Sequence, residues 1–149
     1  YYVDESEKFR IFNDCDLKGH LKNYFVLPPV MELYYKINNP GYVSIPPVRN
    51  DCKSFQDQPI NKMEFVYPDK GTEVFIPVDL TDNTQKIVLK ATHKEHQAHI
   101  HWFIDGVYLG STEANQHEWA INPKIGKHQI YIMDDAGESA TVTINCHKR

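Results

Sequence analysis

Four histidines, His93, His96, His99 and His101, fall within nine consecutive residues, with Glu95 among them. Imidazole at that density is the raw material of a Zn²⁺ or Cu²⁺ site. His99 and His101 stand two residues apart in a run with strand alternation, so both side chains project to one face. The other face of the same run carries Ile100, Trp102 and Ile104. An apolar face of that kind seeks a core. The histidines are thereby sent to the solvent side, where a third ligand would have to come from His93 or His96 on a loop. The pattern weighs against a metal centre and leaves His99 and His101 as the candidates for one.

Other reactive constellations are sparse. Trp119 and the tyrosines offer flat aromatic faces on which a pyranose ring could stack, although core packing is the commoner fate of such residues. Lys70-Gly71-Thr72 reads as a turn and lacks the glycine-rich loop that cradles phosphate. No Gly-x-Ser-x-Gly elbow occurs, and the acidic residues are scattered with no pair placed for acid–base work on a sugar. No cofactor is implied. Cys15, Cys52 and Cys146 contain no Cys-x-x-Cys spacing, which argues against structural zinc. Their number alone does not separate thiols from a disulfide.

The elements that must position these residues fall into two textures. At 149 residues, with 41% hydrophobic and 24% charged residues, the chain has globular composition. A net charge of −4 offers no surface for nucleic acid. The longest apolar run, residues 24–31, contains Pro28 and Pro29 and does not span a bilayer. The sequence opens Tyr1-Tyr2-Val3 without Met and is expected to be a piece of a longer protein.

Residues 1–61 hold Pro28, Pro29, Pro40, Pro46, Pro47 and Pro59. Proline lacks the N–H donor, so this part is expected to be mostly extended, with one short helix near residues 29–38. Val30, Leu33, Tyr34 and Ile37 recur there at helical spacing. Residues 62–149 change to short alternating runs at 63–67, 73–77, 86–92, 99–105, 107–112, 116–120, 126–133 and 139–146, separated by turn residues. Asp105-Gly106 signals a two-residue hairpin, because a type I′ turn needs positive φ at both central positions. Asp134-Asp135-Ala136-Gly137 signals a second hairpin. This rhythm predicts an all-β fold, an immunoglobulin-like antiparallel β-sandwich with Trp102 buried on a central strand. Ile100, Trp102, Ile104, Ile130, Ile132, Val142 and Ile144 are its expected core.

Several stretches, taken in order, carry a family resemblance. They are Glu64-Phe-Val-Tyr-Pro68, Phe75-Ile-Pro-Val-Asp79, Ile100-His-Trp-Phe-Ile-Asp-Gly-Val-Tyr-Leu-Gly110, Pro123-x-x-Gly126-Lys-His128 and Ile132-Met-Asp-Asp-Ala-Gly-Glu-Ser139. Over about residues 62–146 the chain resembles the C-terminal domain of class A penicillin-binding proteins of the 1C type. Upstream, Phe25-Val-Leu-Pro-Pro-Val30, Tyr34-Tyr35-Lys36, Pro40-x-Tyr42, Pro46-Pro47 and Asp51-Cys52 are similar to the connector after the transpeptidase domain in Bacteroidetes-like members.

The resemblance implies a parent protein anchored in the inner membrane, with periplasmic glycosyltransferase and DD-transpeptidase domains. This chain would be its non-catalytic accessory or interaction domain. None of Ser6, Ser44, Ser54, Ser111 and Ser139 begins Ser-x-x-Lys or Ser-x-Asn, and no Lys-(Thr/Ser)-Gly exists. No catalytic residue is therefore carried over to this chain. The expected partners are the catalytic domains of the same parent or a periplasmic protein, with peptidoglycan as a further candidate. Nucleic acid and direct membrane insertion are not expected. Two other functions remain open: a glycan-strand binding module, and a metal-binding domain built on the histidines. In an oxidising periplasm, Cys15 and Cys52 are expected to pair, leaving Cys146 as the odd thiol. Residues 1–61 are expected to pack against the sandwich or the transpeptidase domain.

Overall fold

The computed structural model describes residues 1–12, 16–49, 61–77, 86–113 and 116–148. It divides into two compact units, Tyr1–Asn61 and Lys62–Arg149. Cys15 and Cys52, and with them the expected disulfide, lie outside the described residues.

The first unit contains more ladder than its prolines suggest. Strand β1 (Tyr2–Asp4) pairs antiparallel with β2 (Gly19–Leu21). Val3 and Ile11 are buried there, and Gly19 lies so close to the Val3 carbonyl that a Cβ would stand 2.2 Å from its oxygen. Arg10 is buried and donates its Nε to the Pro46 carbonyl at 2.7 Å. The proline-rich strand is thus held by its carbonyls, the groups that proline keeps. Helix α1 (Pro29–Asn38) opens with Pro29 in the first turn, where the missing N–H is harmless. Its burial is not the one the apolar spacing predicts. Glu32 is buried, its carboxylate taking the Ser44 hydroxyl and the Lys36 ammonium, while Tyr34 and Ile37 are 54% and 71% exposed.

Among the described residues the second unit is a sandwich of eight strands: β3 (Met63–Tyr67), β4 (Glu73–Ile76), β5 (Ile87–His93), β6 (Ile100–Ile104), β7 (Val107–Thr112), β8 (Glu118–Ile121), β9 (Gly126–Asp134) and β10 (Ser139–Lys148). One sheet has the order β3-β5-β8 and the other β4-β10-β9-β6-β7. Every neighbouring pair is antiparallel except β4 with β10, which is parallel. The departure follows from the chain's exit from β3. Pro68 cannot donate to a ladder, so the strand ends at Tyr67, turns, and re-pairs on the opposite sheet against the last strand. The result is an immunoglobulin-like sandwich.

Alternation fills the space between the sheets. Leu89, Ile100, Trp102, Ile130 and Ile132 are completely buried, with Met63, Val74, Ile76, Ala91, Ile121, Val142, Ile144 and Cys146 around them. Ile104, at the end of β6, is only partly buried and packs on the edge of this cluster. The Asp105-Gly106 turn has φ of 49° and 81°, and Ile104 faces Val107 across it, as a two-residue turn with both φ positive requires. At the other end of the unit, Asp134 accepts the Ala136 and Glu138 amides through Oδ1, and Gly137 takes a φ of 88°.

Trp102→Ala is expected to cost about 3–5 kcal/mol in urea unfolding, the loss typical of a large aromatic removed from a packed core. Gly110→Ala is a sharper test. Its φ of 155° is poorly tolerated by L side chains, and a Cβ would stand 2.3 Å from the Trp119 ring. A loss of about 1–3 kcal/mol is expected from the displaced indole, and a neutral result would mean that Trp119 is not held there.

Candidate functional site

The histidine segment is divided by the pleat of the sheets. His93, at the end of β5, is buried and bonds the buried Asp134 through Nε2 at 2.9 Å. The Glu95 amide donates to its Nδ1 at 3.0 Å. That ring therefore links the Glu95 amide to the buried carboxylate. The bond joins the three-stranded sheet to the β9–β10 turn of the five-stranded one. His96 is exposed on the loop between β5 and β6.

His99 and His101 do share the outer face. Asp135 bridges them, with Oδ2 2.7 Å from His99 Nδ1 and Oδ1 2.8 Å from His101 Nε2. Glu113 lies 3.0 Å from His99 Nε2. Both nitrogens of His99 thus point at carboxylates, an arrangement suited to the imidazolium. The Asp135 carboxylate, then Glu113, raises its pKa above the ordinary histidine value. His101, and then His99, lowers that of Asp135. The ring nitrogens that would ligate a cation are spent on anions. Among the described residues, no group of three or more His, Cys, Asp or Glu side chains is arranged to hold a metal ion.

A second polar network enters the core. The Trp102 Nε1–H donates to Thr112 Oγ1 at 2.9 Å, and that hydroxyl bonds His117 Nδ1 at 2.8 Å. His117 is 2% exposed, and its Nε2 has no partner among the described residues. Burial first, then the charges of His93 and His99, pushes its pKa down to about 4. A third contact lies at the opposite end of β6. His128 meets Asp105 at 2.6 Å through Nδ1 and the Lys124 carbonyl at 2.6 Å through Nε2, and the carboxylate raises its pKa.

Sequence reasoning missed His117, although its alternation with Trp119 and Ile121 was the available signal. Nor did it show that Asp134 and Asp135, both read as turn residues, would divide inward and outward. Asp105, His128 and Asp134, which fall within the stretches that carry the family resemblance, prove to be turn anchors.

The aromatic residues also separate. Trp119 lies against Gly110 and packs on the core, so it offers no free platform. On the outer face of the five-stranded sheet, Phe103 meets Tyr108 at 59° and Tyr131 at 65°. Rings so inclined support one another and present no common plane. In the first unit, Phe25, Tyr35 and Tyr42 form an edge-to-face triad with centroids 5.4–6.4 Å apart. The Tyr42 hydroxyl donates to the Phe25 carbonyl at 2.6 Å. Cys146 is a free thiol, buried, with its pKa raised by that burial.

Two pH effects of opposite sign follow. His99, with a raised pKa, adds stability that is complete below about pH 6.5 and is lost as pH rises through its folded value. An NMR titration should place that value above 6.5, and Asp135→Asn should lower it. His117 behaves in reverse. Unfolded, it takes a proton near pH 6.5, whereas folded it waits until about 4. Acidification across that interval should therefore remove up to about 3 kcal/mol. His117→Leu should flatten this acid limb, and an unchanged slope would place the loss elsewhere.

Comparison with known proteins adds the following. No curated protein matches the sequence. Among solved structures, the chain is similar to a fibronectin(III)-like module of Clostridium thermocellum CbhA, with a TM-score of 0.45 and 15% identity over 58% of this chain and 96% of that one. The profile of the Penicillin-Binding Protein C-terminus family matches residues 52–144. That span takes in all but the outermost residues of the sandwich, with its buried Trp102 and its carboxylate-anchored turns: the chain belongs to the Penicillin-Binding Protein C-terminus family.

Proposed function

We propose that the chain is the non-catalytic accessory domain of a bifunctional peptidoglycan synthase of the 1C type, working in the periplasm as part of a membrane-anchored parent. The family match over residues 52–144 carries this reading. The sequence supports it, since no serine stands in Ser-x-x-Lys. The histidines support it too, being engaged with carboxylates and hence in structural work.

Its role is to dock on the parent's catalytic domains. Met31, Tyr34 and Ile37 form an exposed apolar stripe along α1, 58%, 54% and 71% accessible. Residues three apart share a helix face, and an apolar stripe of that kind is the usual mark of a partner surface. On this reading residues 1–61 are the connector that follows the parent's transpeptidase domain, and that domain would lie within reach of this helix.

The isolated chain should form no covalent adduct with a labelled β-lactam, and a stoichiometric acyl adduct on any of its serines would overturn the non-catalytic reading. In the full-length parent, a photo-crosslinker at position 34 should capture the transpeptidase domain. Ile37→Asp should abolish that capture while leaving the sandwich folded. Crosslinks only to other proteins would redirect the docking proposal. Thiol counting under non-reducing denaturation should find one reactive group, Cys146. Three would refute the Cys15–Cys52 pair.

A further inference from the structure

The turn after α1 and the strand-like stretch before it enclose an open cleft of about 650 Å³. That is the size of a ligand site, about 300–1,000 Å³. Phe25 and Tyr35 form an inside corner, their rings at 73° with centroids 5.7 Å apart and 60% and 40% exposed. Tyr42, also in the lining, makes edge contacts to both rings. The remaining wall is amide-rich, with Asn23, Asn38 and Asn39. Lys22 is the one charged side chain of the lining, its ammonium paired with Glu7, and no carboxylate lines the cleft among the described residues.

We propose that this cleft binds N-acetylated amino-sugar oligosaccharides. The C–H face of a pyranose carries weak positive charge and packs on the negative face of an aromatic ring. A corner of two rings at a steep angle receives one sugar face and one sugar edge. Carboxamides supply paired donors and acceptors that match hydroxyls and acetamido groups. With its one cation already paired to Glu7 and no carboxylate in the lining, the cleft suits neutral sugars. The Asn39 amide, already bonded to the Tyr35 carbonyl at 3.0 Å, holds the helix end that presents the ring. Glycan recognition is thus placed in the first unit, away from the inclined rings of the sandwich. That the natural ligand is a cell-wall glycan strand rests on the accessory-domain reading, whereas the binding chemistry does not.

The experiment titrates chitotetraose into the full 149-residue chain, followed by NMR shifts and calorimetry. Saturable binding that shifts Phe25, Tyr35 and the three asparagines is expected, with cellotetraose, which lacks acetamido groups, bound more weakly. Phe25→Ala and Tyr35→Ala should each weaken binding about tenfold, Tyr35→Phe should retain it, and Tyr108→Ala should leave it unchanged. A retained thermal transition checks that the variants fold. Absence of saturable binding, binding unaffected by both alanine variants, or capture of a proline-rich peptide in place of the sugar would overturn the proposal. A chain that binds chitotetraose but never crosslinks to the catalytic domains would sink the accessory reading alone, and the converse would sink this one alone.

Discussion

An indole cannot be sunk in hydrocarbon unless its N–H finds an acceptor, and the sandwich is arranged around meeting that condition for Trp102. The ring is wholly buried, and the acceptor is a threonine hydroxyl on the neighbouring strand. Thr112 can face inward beside Trp102 because the β6–β7 register shifts between Trp102 and Phe103. The same shift sets Gly110 opposite Trp102. The missing side chain there admits the Trp119 ring from the other sheet. Thr112 in turn fixes His117, which is buried so deeply that it stays neutral over most of the pH range. One polar atom in the core thus dictates a bulge, a glycine and a neutral histidine.

The same economy explains how the histidine-rich segment is divided among separate environments. Strand alternation and the turn between β5 and β6 send neighbouring imidazoles to different environments. His93 goes inward to a buried carboxylate, and His99 outward between two exposed ones. In each case an aspartate from the β9–β10 turn is the partner, Asp134 inside and Asp135 outside. Adjacent residues on a turn divide in this way because the first still belongs to the pleat of β9. At the far end, His128 and Asp105 repeat the device. Histidine–carboxylate pairs therefore fasten turns to strands at both ends of the sandwich.

How much of this was legible in the sequence depends on whether local pattern decided the outcome. The eight strands of the second unit show as alternation because each has one face in a single core. Asp105-Gly106 shows as a turn because φ is positive at both positions. Partner choice is less visible. The parallel pairing of β4 with β10 joins residues about seventy apart, as with Asn145 and Glu73, and no local rhythm marks it. In the first unit the local pattern misled. Val30, Leu33, Tyr34 and Ile37 have helical spacing, yet the buried residue of the middle turn is Glu32. A carboxylate can take that place because Ser44 and Lys36 satisfy it, a tertiary fact with no signature in the helix itself. Strands β1 and β2, of three residues each, are too short for alternation to register.

Both units expose aromatic rings, Phe75 and Tyr108 of the sandwich being 60% and 55% accessible, but they hold them differently. In the sandwich, Trp102 and Trp119 are consumed by packing, and the outer rings lean on one another. In the first unit, Phe25, Tyr34 and Tyr35 keep 40–60% of their surface open. Exposed aromatic area gains most from a partner, and the helix end and flanking turns that carry it are held by specific bonds. The Tyr42 hydroxyl on the Phe25 carbonyl and the Asn39 amide on that of Tyr35 fix the positions from which these rings project. Surface that is both apolar and held in place is what recognition requires, since little ordering entropy remains to be lost on binding. The stable sandwich defines the family to which the chain belongs, and the smaller unit before it presents the surface best suited to meet a partner.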